Sequence, residues 1–207
     1  MAQLTSVSRR RPPGPQWFRP GGGLRARLLL VLLAGAVPPA QAQGPVADEY
    51  AVKAACVLSV ARFVEWPPRD KQSQPDGARV CVLGADPIGE TVEEVAHGKQ
   101  LHGHPVEVFR GRRLSELGDC DVLFIAASEH DRLHQHLDAL KGQPVLTVSD
   151  APGFAAGGGM VGLCLEDRRV CIEVNRIAIG QAGLEVSSRL LALAREVIGA
   201  SPEEASW

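Results

Sequence analysis

Apolar and polar positions along the chain change period several times, and each change predicts an element. Over residues 50–68 (YAVKAACVLSVARFVEWPP), Ala51, Ala54, Ala55, Leu58, Ala61 and Phe63 fall near helical spacing, and Val57 and Val64 broaden the apolar side. The spacing predicts a helix buried over most of its surface, with Asp48 and Glu49 at its N-terminus and Pro67 and Pro68 closing it. A helix this apolar needs a broad hydrophobic surface to lie on, so the strands that follow should form a sheet.

Short apolar, β-branched runs do follow. A polar loop over 71–78 (KQSQPDGA) leads to a strand over 79–84 (RVCVLG) that ends in glycine. Asp86-Pro87 then supplies a cap and a proline at the first helical position, with Ile88, Val92 and Val95 at helical spacing. The alternation continues with a strand over 106–109, a helical turn over 114–117, a strand over 122–126, a helix over 129–140 and a strand over 144–149 (PVLTVS). From Asp150 the rhythm changes. A Gly- and Pro-rich loop over 151–159 precedes two strands, 160–165 and 170–174, joined by EDRR as an antiparallel hairpin. An apolar helical stretch over 176–198, interrupted at Gly180 and Gly183, closes the chain before a polar tail over 201–207. The predicted fold is α/β: a three-layer α/β/α sandwich with a mostly parallel sheet and an antiparallel edge hairpin.

Charge adds one exclusion. With 22 basic and 24 acidic residues among 207, the formal net charge is −2, which leaves no electrostatic footprint for nucleic acid or an anionic membrane. The N-terminus is different in character. Arg9, Arg10, Arg11, Arg19, Arg25 and Arg27 precede an apolar run over 28–37 (LLLVLLAGAV), far shorter than the roughly 20 residues of a membrane span. Ala40-Gln41-Ala42 follows, small at the positions a signal peptidase reads. Residues 1–42 therefore read as a signal peptide, leaving one domain over 43–207 in an extracytoplasmic compartment.

Export gives the five cysteines a meaning, because that compartment is oxidising. Cys164 and Cys171 lie on the two arms of the hairpin, close enough to face each other. Cys81 and Cys120 border or lie in strands that a parallel sheet would bring near, although spacing alone leaves the connectivity open. Closing the longer loop would be worth roughly 4 kcal/mol and the shorter roughly 2.5. Cys56, inside the first helix, is left over as a buried free thiol. His102 with His104, and His130 with His134, lack the further ligands of a metal site, so no metal is expected. Gly157, Gly158 and Gly159 precede a strand and not a helix, so they are not a phosphate loop. No serine or cysteine sits with a base as a nucleophile, and Asp86, Asp121 and Asp150 read as caps. Neither catalytic residues nor a cofactor are expected.

Seven segments in order resemble the YfiR family: VKAACVLSVARFVEWP (52–67), VCVLGADPIG (80–89), CDVLFIA (120–126), VLTVSD with Gly153-Phe154, GGMVGL (158–163), IEVN (172–175) and SSRLLALARE (187–196). The resemblance covers nearly all of 43–207. It implies a periplasmic repressor that binds the periplasmic domain of an inner-membrane diguanylate cyclase and so controls cyclic di-GMP signalling and biofilm formation. It also implies an outer-membrane lipoprotein as sequestering partner, a homodimer, and disulfides Cys81–Cys120 and Cys164–Cys171. Because EDRR is charged, an apolar partner-binding patch beside the second disulfide is expected at Phe154, Met160 and Val170. The alternative is a small-molecule sensor whose ligand sits where parallel strands end, near 84–86, 126–128 and 149–153.

Overall fold

In a computed structural model, described over residues 45–68, 77–85, 88–167 and 169–199, the strands assemble into one eight-stranded sheet and a two-stranded ribbon. In chain order the elements are α1 (Pro45–Ala61), β1 (Val64–Glu65), β2 (Ala78–Leu83), α2 (Ile88–Ala96), β3 (Gln100–Leu101), β4 (His104–Gly111) and β5 (Val122–Ile125). Then come α3 (Leu133–Ala139), β6 (Leu146–Ser149), β7 (Val161–Glu166), β8 (Arg169–Asn175), α4 (Arg176–Gln181), β9 (Glu185–Val186), α5 (Ser188–Leu193) and β10 (Glu196–Ile198). Two 3₁₀ turns, Leu114–Glu116 and Ala127–Arg132, complete the list.

The sheet order is β10-β8-β7-β6-β5-β2-β4-β3, parallel from β7 to β4, with antiparallel pairs β7–β8 and β3–β4. Period-two alternation sorts the central strands onto two cores. Val80, Val82, Val122, Phe124, Leu146 and Val148 face the layer of α1, α2, α4 and α5. Cys81, Leu83, Leu123 and Ile125 face the layer of α3 and the 114–117 turn, together with Phe154. The architecture is the expected three-layer α/β sandwich.

Differences from the sequence reading are local and have tertiary causes. The first helix starts at Pro45 and stops at Ala61, because Val64 pairs with Val186 and Ser187 N–H donates to the Phe63 carbonyl. The expected C-terminal helical stretch becomes α4, β9, α5 and β10. Gly183, at φ +71°, ends α4, and β10 pairs in parallel with β8 outside the hairpin. The predicted helix over 129–140 opens as a 3₁₀ turn. The signal peptide, most of the 71–78 loop, the Asp86-Pro87 cap and the 201–207 tail lie outside the described residues.

Candidate partner-docking site

The hairpin overhangs the sheet. Ser149, the last residue of β6, pairs with Gly162, so Leu163 to Glu166 and their β8 partners run past the carboxyl end of β6. Asp167, at φ +48°, helps turn the chain in two residues, a conformation that Asp tolerates. Cys164 and Cys171 are directly opposite and bonded, their Cα atoms 4.9 Å apart. Cys81 is bonded to Cys120 within the second core, their Cα atoms 6.0 Å apart.

Next outward from the hairpin disulfide, Leu165 pairs with Val170. Leu165 is 50% exposed and Val170 half-buried. Leu193, 66% exposed, is the last residue of α5, two positions before Arg195, whose N–H bonds the Ile172 carbonyl of β8 as the chain enters β10. Arg195 clamps the two: its guanidinium contacts Glu173 at 2.6 Å and Glu166 at 3.7 Å. Exposed apolar side chains over a cross-linked, ion-paired base can contact a partner without ordering first.

Two of the three residues expected in this patch do not contribute. Phe154 is 3% and Met160 8% exposed. The 151–159 loop folds Phe154 into the second core, where its ring occupies the space a side chain at Gly159 would need. Met160 joins the first core, its N–H bonded to Thr147 Oγ1 at 3.2 Å. Only Val170 remains beside the disulfide. Leu165, Leu193 and Arg195 were not singled out by the sequence reading; the alternation Leu163-Leu165 marks one of them, whereas the other two depend on β10.

At the strand ends of the alternative reading, the described residues are tied to one another by hydrogen bonds. Ser128 Oγ accepts from Ala85 N–H at 3.0 Å, and a Cβ on Gly84, at φ +107°, would meet Ser128 Oγ at 2.7 Å. Ser149 Oγ donates to the Ile125 carbonyl and accepts from Ala151 N–H. Asp150 caps no helix. Its Oδ2 receives Lys53 Nζ from α1 at 2.8 Å, and Glu49 meets the same ammonium at 2.8 Å. Burial works against the Lys53 charge, but the bonds to Asp150 and Glu49 outweigh it and hold the pKa above its ordinary value. Asp121 accepts from Arg79 N–H at 2.7 Å. Among the described residues, no group of three or more His, Cys, Asp and Glu side chains is placed to hold a metal, and no helix is long and apolar enough to cross a membrane. Cys56 is a free thiol whose pKa is raised by burial.

Fold and site together define a disulfide-braced, doubly wound α/β domain with an overhanging apolar hairpin. A solved structure from Streptococcus pneumonia, described as the ABC domain in complex with L-Trp, shares the fold at TM-score 0.52 and 11% identity, matching 70% of this chain and 60% of that one. The chain belongs to the YfiR/HmsC-like family, whose profile matches residues 50–195. The two disulfides suit an oxidising compartment.

Proposed function

We propose that this chain represses an inner-membrane diguanylate cyclase by docking Leu165, Val170 and Leu193 on the cyclase's periplasmic domain. The observation that carries this reading is the overhanging hairpin, apolar on one side and cross-linked at Cys164–Cys171. Cleavage after Ala42 delivers the domain to the periplasm, where it works as a homodimer. An outer-membrane lipoprotein that captures the chain frees the cyclase, raising cyclic di-GMP and promoting biofilm. Repression needs no reaction centre and no cofactor: occupancy of the cyclase's outer domain is sufficient.

The test is complementation in cells lacking this gene. The wild-type chain should lower cyclic di-GMP and co-purify with a membrane cyclase. Leu165→Asp and Leu193→Asp, both at exposed positions, should lose both effects while keeping the wild-type Tm. Full repression by the double variant would overturn the assignment of this surface, and absence of any cyclase with the wild type would overturn the repressor reading.

A further inference from the structure

At the edge of the sheet away from the hairpin, β4 runs on past β3. β4 has eight residues, but β3 pairs only with His104 and Pro105. Val106 N–H then bonds the Lys99 carbonyl on that outer side, whereas the Gly111 carbonyl turns inward to Gly84 N–H beyond β2. Successive residues of a strand aim their backbone groups to opposite sides, so Val108 and Arg110 face outward like Val106. Among the described residues nothing bonds their N–H and C=O groups there. An unpaired run of this kind is a template for another strand.

Of the two-fold antiparallel pairings β4 could make with its own copy, the neighbouring bonds leave one. Outward residues must meet outward residues, so the axis falls on a residue. Centred on Val108, the pairing sets Arg110 against Val106, whose N–H is already bound to Lys99. Centred on Arg110, it sets Val108 against Arg112, whose N–H is held by Glu116 Oε2 at 2.9 Å. Centred on Phe109, it sets Val108 of each copy against Arg110 of the other, and all four N–H···O bonds join free groups. The side chains agree with that register. Phe109 meets its counterpart at the close spacing of a non-hydrogen-bonded pair, about 4.5 Å between Cα atoms, where aromatic side chains stabilise a ladder. Its half-buried ring is already fixed by the Arg79 guanidinium, 4.0 Å from the centroid. Arg110 brings no bare charge to the seam, since Glu93 of α2 holds it at 2.9 Å.

We infer that two copies of this chain join edge to edge through β4, antiparallel about Phe109, into one continuous sheet. This surface rests on the homodimer of the reading above and gives it a location. β2, β5, β6 and β7 stand between β4 and the hairpin strand β8, so both hairpins stay free for the cyclase. Sedimentation equilibrium of the purified protein should show a dimer. Val108→Pro removes an outward N–H and keeps every bond to β2, as proline does on an edge strand. Losing two hydrogen bonds per dimer should raise the dimer Kd at least about tenfold. A second pair of variants reads the register itself. Phe109→Cys sets two sulfurs beside the axis within disulfide range and should cross-link the copies on mild oxidation, mapped by mass spectrometry. Glu107→Cys, exposed on the same face, should not, because its two copies lie roughly 13 Å apart along the strands. An unchanged Kd in Val108→Pro, or equal cross-linking through Phe109→Cys and Glu107→Cys, would overturn this surface while leaving the homodimer. A wild type that stays monomeric at every concentration would overturn both. Cyclase capture through Leu165 and Leu193 is read independently of either.

Discussion

Lys53 Nζ lies 2.8 Å from Asp150 Oδ2, joining two residues 97 positions apart and tying α1 to the end of β6. Both side chains are at least nine-tenths buried, and Asp150 Oδ1 has no hydrogen-bond partner. Removing one member of such a pair leaves an uncompensated charge, whereas removing both leaves an apolar contact. Lys53→Met should therefore cost about 3 kcal/mol, and Lys53→Met with Asp150→Leu should recover most of it. Urea denaturation of the wild type, the two single variants and the double variant measures both quantities.

The same pair makes stability depend on alkaline pH. Since the folded pKa of Lys53 is raised, its contribution is fully present below 10.5 and is lost as pH rises through the folded value. The Tm gap between wild type and Lys53→Met should stay constant from neutral pH to about 10 and narrow above that. A gap that instead widened above pH 10 would contradict the sign.

Phe154 and Gly159 share one volume. A Cβ at position 159 would overlap the Phe154 ring, which explains why a loop that buries an aromatic residue carries a glycine five positions on. Gly159→Ala should destabilise by about 1–3 kcal/mol through overpacking. Phe154→Leu, itself costly, should make the added methyl cheaper, giving a favourable coupling in a double-mutant cycle.

Asn175 is buried and bonded on both sides. Its Oδ1 accepts from Ala178 N–H at 3.0 Å, capping α4, and its Nδ2 donates to the Ala155 carbonyl at 2.9 Å. Asn175→Ala should cost about 2 kcal/mol, from a lost cap and a buried carbonyl left unpaired. Asn175→Asp keeps the cap but turns a carboxylate oxygen toward Ala155 O, so at neutral pH it should be no better than alanine. Thermal melts of the two variants compare them directly.

The two disulfides leave one thiol to count. Alkylation of the protein unfolded without reductant should label Cys56 alone, and all five cysteines once reduced. In the native state Cys56 should react more slowly, since burial raises its pKa and lowers the thiolate fraction. Replacing Cys81 and Cys120 by alanine should cost about 4 kcal/mol, against about 2.5 for Cys164 and Cys171, because the first loop is longer.

Local pattern by itself determined most of the elements. Short apolar, β-branched runs placed β2, β5 and β6, and the short EDRR link placed the hairpin. The facing of Cys164 and Cys171 likewise follows from a two-residue turn, a short-range constraint. Tertiary structure decided what depends on distant partners. Glu196 to Ile198 reads as helix by spacing and becomes a strand because β8 offers an open edge. Lys53 and Asp150 carry no local sign of each other. Phe154 sits in a glycine-rich loop that reads as exposed, yet Gly159 lets the chain fold over the ring and bury it, and Met160, at the start of an expected strand, packs into the first core. A side chain's burial is set by what packs on it, and in this protein those neighbours come from elsewhere in the chain.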